Sequence, residues 1–269
     1  MTDPLVTDPL VLEFLEWAAR DRGRSPHTLA RYRAVLAAIG DPTHATREDI
    51  EAWWATRFDA SPATRSNELA CLRSFYRWAT RFDHRADDPT RRLDAPKIPN
   101  RVPRPIGQTD LDRLLGELTA DALDLRRAFA LGAYGGMRVS EAAAADWRDV
   151  DQDGRRLYVR GKGSKERVIG LSPVLLDKIL PDTGGNIVAA GGKPYSAATL
   201  QRKANRLMDR YGITHTFHDL RKRGATLAMA KVANPQAVAQ AFGWASLETV
   251  KHYAVVGDET LDAIAQAMV

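Results

Sequence analysis

The stretch Thr214–Val255, THTFHDLRKRGATLAMAKVANPQAVAQAFGWASLETVKHYAV, gathers more reactive side chains than any other part of this 269-residue chain. His218 and Arg221 stand three apart in a segment that continues at helical spacing through Leu220, Leu227 and Ala228. An imidazole and a guanidinium are therefore expected to leave one helix face together. Gly243 then breaks a short apolar helix, Trp244 follows it, and Tyr253 comes nine residues later, beyond a second short helix that Ser246 can cap. The order is H-x-x-R, then G-W, then Y.

Upstream, the composition sets bounds. With 44% apolar and 27% charged residues the chain reads as soluble and globular, and its length suits two domains. No run of about 18 apolar residues is present, so no membrane span is expected. The N-terminus, MTDPLVTDPLVLEF, is acidic and lacks the basic start of a signal peptide, which implies a cytoplasmic location. Cys71 is the lone cysteine and lies in a helical pattern, as a buried structural thiol would. The net charge of +5 is uneven: residues 1–100 balance 15 Lys+Arg against 15 Asp+Glu, so the excess lies in the remainder. There it concentrates in Arg155–Arg167 and in Leu200–Arg223; one such cluster reads as a solvated face, but two flanking a candidate site point to a polyanionic partner.

The pattern divides the chain into a helical domain over 1–86, a linker over 87–108 and a second domain over 109–269. Asp8-Pro9, Ser25-Pro26, Thr46 with Asp49, and Ser61-Pro62 each read as a helix start, giving a four-helix bundle. In the fourth helix Leu69, Leu72, Phe75, Tyr76 and Ala79 form the buried stripe. Arg73, Arg77 and Arg81 form a row on another side, either against phosphates or in water. The linker, DDPTRRLDAPKIPNRVPRPIGQ, carries five prolines and spaced basic residues; stretched fully it could reach about 60 Å. In the second domain a helix with Phe129, Leu131 and Tyr134 ends at Gly135-Gly136 and is followed by Met137-Arg138-Val139-Ser140-Glu141. Period-two patterning over Leu157–Arg160 and Arg167–Leu171 predicts a hairpin with GKGSK at its tip. The Gly-rich run DTGGNIVAAGGKP lacks the G-K-[S/T] ending of a P-loop, which excludes an ATPase reading. From Ser196 onward the remainder reads as helical.

GGMRVSE, VRGKGSKERVIGL, H-x-x-R, G-W and the late tyrosine occur in the order and spacing of the tyrosine site-specific recombinases, the phage-integrase and Xer-type family, which this chain resembles over nearly its whole length. RGRSPHTLARYR and SPATRSNELACLRSFYRWA are similar to the helical core-binding domain of Xer-type enzymes. The resemblance implies a mainly α fold with a small β-sheet: a SAM-like N-terminal core-binding bundle, then an α+β catalytic domain. It also implies a site of Arg138, Lys162, His218, Arg221, Trp244 and Tyr253, with Tyr253 as the nucleophile that forms a covalent 3′-phosphotyrosine.

The chemistry agrees with those residue types. A phenol can replace a DNA hydroxyl on phosphorus and be displaced again, conserving the bond. Its pKa near 10 requires that its proton leave as attack proceeds, and the doubly charged transition state needs fixed donors. Arg138 and Arg221 suit that need as guanidinium forks. Lys162 reads as the acid for the departing 5′-hydroxyl, with Lys165 the second candidate on the same tip. Glu141 reads either as a partner that orients Arg138 or His218, or as surface charge. Trp244 stands where many family members have histidine; it can donate to a phosphate oxygen but cannot act as a base, and its other reading is a core aromatic after a glycine turn. No metal or other cofactor is expected, because no His/Asp/Glu cluster with ligand spacing is present and the arginines supply charge.

The expected partner is double-stranded DNA with inverted-repeat core sites, clamped between the domains. The expected assembly is a homotetramer on paired sites, or a heterotetramer with a related recombinase, in a cytoplasmic, nucleoid-associated setting. A last helix over 258–269 is expected to dock on a neighbouring protomer, or else on its own domain. With seven residues before the first helix, no separate arm-binding domain is expected. Integrase and Xer roles stay equally open. A type IB topoisomerase shares the chemistry but not the Xer-like N-terminus, and a DNA-binding regulator without catalysis is the alternative from another class.

Overall fold

The computed structural model describes residues 8–99, 104–116, 118, 122–161, 166–180, 184–232, 234–244, 246–247, 250 and 266. Lys162, Lys165, Tyr253 and the expected last helix over 258–269, apart from residue 266, lie outside them. Two units are defined, Met1–Asn100 and Arg101–Val269.

The first unit is four helices: α1 (Pro9–Arg20), α2 (Pro26–Ile39), α3 (Arg47–Ala55) and α4 (Pro62–Arg81). Each starts where a side-chain oxygen can take up an orphan amide. Asp8 accepts from the Leu10 and Val11 N–H groups, Ser25 from Thr28 and Ser61 from Thr64. Thr46 and Asp49 close a reciprocal capping box. The core is aromatic: Phe14 lies 5.2 to 5.4 Å from Tyr32, Phe75 and Trp78 between ring centroids. Tyr76, also buried, donates its hydroxyl to the Pro42 carbonyl at 3.0 Å. Cys71 is buried. The proline-rich segment is anchored where it begins, since Thr90 and Leu93 are buried in this unit.

The second unit holds α5 (Gln108–Gly116), α6 (Leu123–Ala133), α7 (Val139–Ala144), α8 (Pro173–Ile179), α9 (Ala197–Arg210), α10 (Phe217–Val232) and α11 (Pro235–Phe242). A three-stranded antiparallel sheet lies between α7 and α8 in sequence: β1 (Val150–Asp151), β2 (Arg156–Arg160) and β3 (Glu166–Gly170), in that spatial order. β2 and β3 pair with Leu157 opposite Ile169 and Val159 opposite Arg167. Leu157, Val159 and Ile169 are buried, so Arg167 projects from the inward side of its strand. The Gly-rich run contains a short hairpin, β4 (Ala189–Ala190) with β5 (Lys193–Pro194), where the sequence suggested only loop. α6 is buried from Ala128 to Ala133 and packs against α8 and α10. The inward face of α10 is Phe217, Leu220, Arg221 and Ala225; Leu227, expected on it, is exposed.

Candidate active site and nucleic-acid interface

The site forms where three chain breaks meet. α6 ends in a turn whose Gly136 takes φ +61°, a backbone conformation that costs glycine nothing. The turn delivers Arg138 to the N-cap of α7 in extended conformation. α10 opens at Thr216, whose N–H and hydroxyl both donate to Asp219, at 2.7 and 2.8 Å; this fixes the turn that carries His218 and Arg221. α11 ends at Gly243, which is left-handed at φ +60°, and Trp244 follows.

Glu141 is the point of convergence. Its Oε1 accepts from Arg138 Nη1 and from Arg167 Nη1, both at 2.8 Å. Its Oε2 accepts from the Arg138 backbone N–H at 2.7 Å and from Arg167 Nη2 at 2.9 Å. Arg221 Nη1 stands 3.8 Å from the same oxygen. One buried carboxylate thus gathers three guanidinium groups. Burial alone pushes the Glu141 carboxyl upward, but the Arg167 and Arg138 hydrogen bonds and the Arg167 charge bring it down to about 2. Of the readings of Glu141, a partner of Arg138 is what the geometry supports: the carboxylate is buried, not surface charge, and among the described residues no hydrogen bond or ion pair joins it to His218.

Arg221 is 1% exposed. Its Nη1 donates to the Gly136 carbonyl and its Nη2 to the Phe242 carbonyl, each at 2.5 Å. The guanidinium lies 5.3 Å from the Phe242 ring centroid and 5.5 Å from that of Trp244. It therefore joins the α6–α7 turn to the end of α11, which its spacing from His218 did not suggest. Trp244 is half-buried and stacks on Phe242 with centroids 5.1 Å apart. Arg138 retains an exposed side chain, 41% of it open to solvent. The pKa of His218 is lowered, first by desolvation and then by repulsion from Lys222 and Arg221, with Arg138 adding to it and Asp219 opposing. Arg138, His218, Arg221 and Trp244 are thus neighbours; Lys162 and Tyr253 are outside the described residues.

Sequence reading passed over Arg167. It is 8% exposed at the side chain, and its Nε donates to the Ala241 carbonyl at 2.9 Å. The signal was available in the alternation of β3: position 167 shares a face with Ile169, and an arginine turned inward requires a carboxylate.

Positive charge is exposed elsewhere in both units. On α9, Arg202, Arg206 and Arg210 lie exposed at four-residue steps, while Leu200, Ala204 and Met208 are buried. In the first unit a concavity of about 590 Å³ is lined by Trp17, Arg22, Arg24, Arg73, Arg77 and Arg81 among others. Arg77 and Arg81 are exposed there, whereas Arg73 donates to the Leu93 carbonyl and is half-buried.

A four-helix unit, followed by a helical unit with a small antiparallel sheet and clustered arginines, defines a tyrosine-recombinase fold. The model of the phage integrase family matches residues 106–259, and that of the phage integrase N-terminal SAM-like domain matches residues 11–82. Tyrosine recombinase XerC of Corynebacterium efficiens is 30% identical, over 95% of this chain and 89% of the relative. XerC of Rhodospirillum centenum is 31% identical, over 91% and 82%. A lambda integrase tetramer bound to a Holliday junction superposes with a TM-score of 0.75 at 22% identity, covering 91% of this chain and 76% of that one. The chain belongs to the phage integrase family, and its activity is the site-specific cleavage and rejoining of strands by a tyrosine recombinase.

Proposed function

We propose that Tyr253 attacks a DNA phosphodiester to form a 3′-phosphotyrosine, that Arg138, His218, Arg221 and Trp244 stabilise the charge which develops, and that Lys162 protonates the departing 5′-hydroxyl. The observation that carries this reading is the convergence of Arg138, Arg167 and Arg221 on Glu141 beside His218. Three guanidinium groups against one carboxylate leave an excess of positive charge, and a phosphate is the natural complement. Arg138, with its exposed guanidinium, makes the direct contact. Arg221 contributes charge from beneath the surface and holds the floor of the site in place. His218, biased toward the neutral ring at pH 7, is able to take up a proton as the phenol attacks. Trp244 offers an indole N–H and no base.

The substrate in this proposal is duplex DNA carrying two inverted half-sites, bound by protomers that assemble as a tetramer on paired sites, in the cytoplasm. The basic concavity of the first unit and the arginine face of α9 supply phosphate contacts, so affinity should fall steeply with salt. The two arginines provide the charge that a metal would otherwise supply, and cleavage is expected to survive EDTA. Tyr253→Phe tests the reading, since it removes one oxygen and no cation. Site binding should remain within about twofold while cleavage is lost. Cleavage by this variant, or loss of wild-type cleavage on chelation, would overturn it.

A further inference from the structure

Arg167 is tied to three elements by one rigid planar group. Its backbone lies in β3, two of its nitrogens grip Glu141 on α7, and its Nε holds the Ala241 carbonyl at the end of α11, two residues before Gly243. The stem of Arg167 also lies against the turn itself: a Cβ placed on Gly243 would meet Arg167 Cδ at 3.2 Å. In sequence the strand follows directly on the tip that carries Lys162 and Lys165.

The arrangement determines how Glu141 treats Arg138. A carboxylate has about four acceptor positions. Arg167 takes one on each oxygen, and the Arg138 backbone N–H takes a third. Toward Glu141 the Arg138 side chain is left with a single Nη1 bond; its Nη2 reaches only the Gly243 carbonyl, at 3.4 Å, and the guanidinium keeps its solvent access. Without Arg167, Glu141 could turn and grip Arg138 through both oxygens. That pairing would neutralise the guanidinium meant for the phosphate. We infer that Arg167 is a positioning residue: it occupies Glu141 so that Arg138 remains open to an anion, and it ties the strand following the lysine tip to the Gly243–Trp244 turn. The inference rests on the recombinase reading of Arg138 and Lys162 given above.

The test uses the full chain and a nicked duplex on which the wild type accumulates a covalent adduct. Arg167→Met keeps the packed stem and removes all five donors; Arg167→Lys keeps the charge but cannot bridge Glu141 and Ala241 together. Both should bind the duplex as the wild type does, because Arg167 is nearly inaccessible. Single-turnover adduct formation should fall about 10- to 100-fold in each. A further readout separates positioning from plain stability. If Arg167 acts through Arg138, the adduct rate of the Arg138→Ala, Arg167→Met double variant should equal that of Arg138→Ala alone, whereas a general loss of stability would add to it. Wild-type rates in both folded single variants, or additive losses in the double variant, would overturn the inference. So would loss of fold by both, which would assign Arg167 to stability alone. Absence of any adduct from the wild type would sink the recombinase reading itself, and this inference with it.

Discussion

Replacing Glu141 by glutamine probes the gathering of the arginines, and the cost can be worked from the structure. The side chain is 4% exposed, and its carboxyl is held at about 2 against an ordinary 4.5. At about 1.4 kcal/mol per unit, that depression corresponds to about 3 kcal/mol. The figure agrees with the roughly 3–5 kcal/mol lost when one partner is removed from a buried ion pair. For a unit of this size the melting point should fall by about 6–12 °C. The sign of the pH dependence follows from the direction of the shift. Because the folded pKa lies below the unfolded one, the stabilisation is complete above about 4.5 and is lost as pH falls toward 2. Glutamine mimics the protonated acid, so the gap between wild type and Glu141→Gln should be constant near neutrality and shrink by about 1.4 kcal/mol per pH unit below 4.5. Hydrogen exchange of peptides from α6 and α7 reads this unit without interference from the other. A gap under about 1 kcal/mol at pH 7, or one that ignores pH, would refute the reasoning.

The depressed pKa of His218 implies a neutral ring at pH 7; ring ¹⁵N shifts should show one protonated nitrogen, and a charged ring there would contradict the electrostatics. As the folded pKa of this base lies below its unfolded value, stability from His218 should decline as pH drops through 6.5, and His218→Gln should remove that slope. Gly136→Ala forces a side chain into a left-handed position and into the Phe242 ring, so it should cost about 2–4 kcal/mol by exchange and disturb the carbonyl that holds Arg221. Burial raises the Cys71 thiol to about 11; native alkylation at pH 8 should be at least about 100-fold slower than in urea, and rapid labelling would show the helix packing to be wrong.

Helix starts were the most legible part of this fold, because Asp8, Ser25, Thr46 and Ser61 each sit where a local oxygen can satisfy a local amide. The β2–β3 hairpin was visible for a similar reason, in the alternation of Leu157, Val159 and Ile169. β1, β4 and β5 have two residues each, too few to show a period. Leu227 matched helical spacing yet lies exposed, since spacing does not say which arc of α10 meets α6. In the site, Arg138 and Arg221 were recognisable by motif, but what Arg221 holds was not. Its partners, the carbonyls of Gly136 and Phe242, are 85 and 21 residues away and carry no side-chain identity. Glu141 and Arg167 are 26 apart, and only the inward parity of β3 hinted that they must meet.

The covalent step is tested most directly by locating the bond. The wild-type chain, trapped on a nicked duplex and digested with nuclease and trypsin, should leave a nucleotide on the peptide that begins at His252, with fragment ions placing it on Tyr253 through a 3′-phosphate. A nucleotide carried by any other residue, or joined through a 5′-phosphate, would contradict the mechanism proposed for this site.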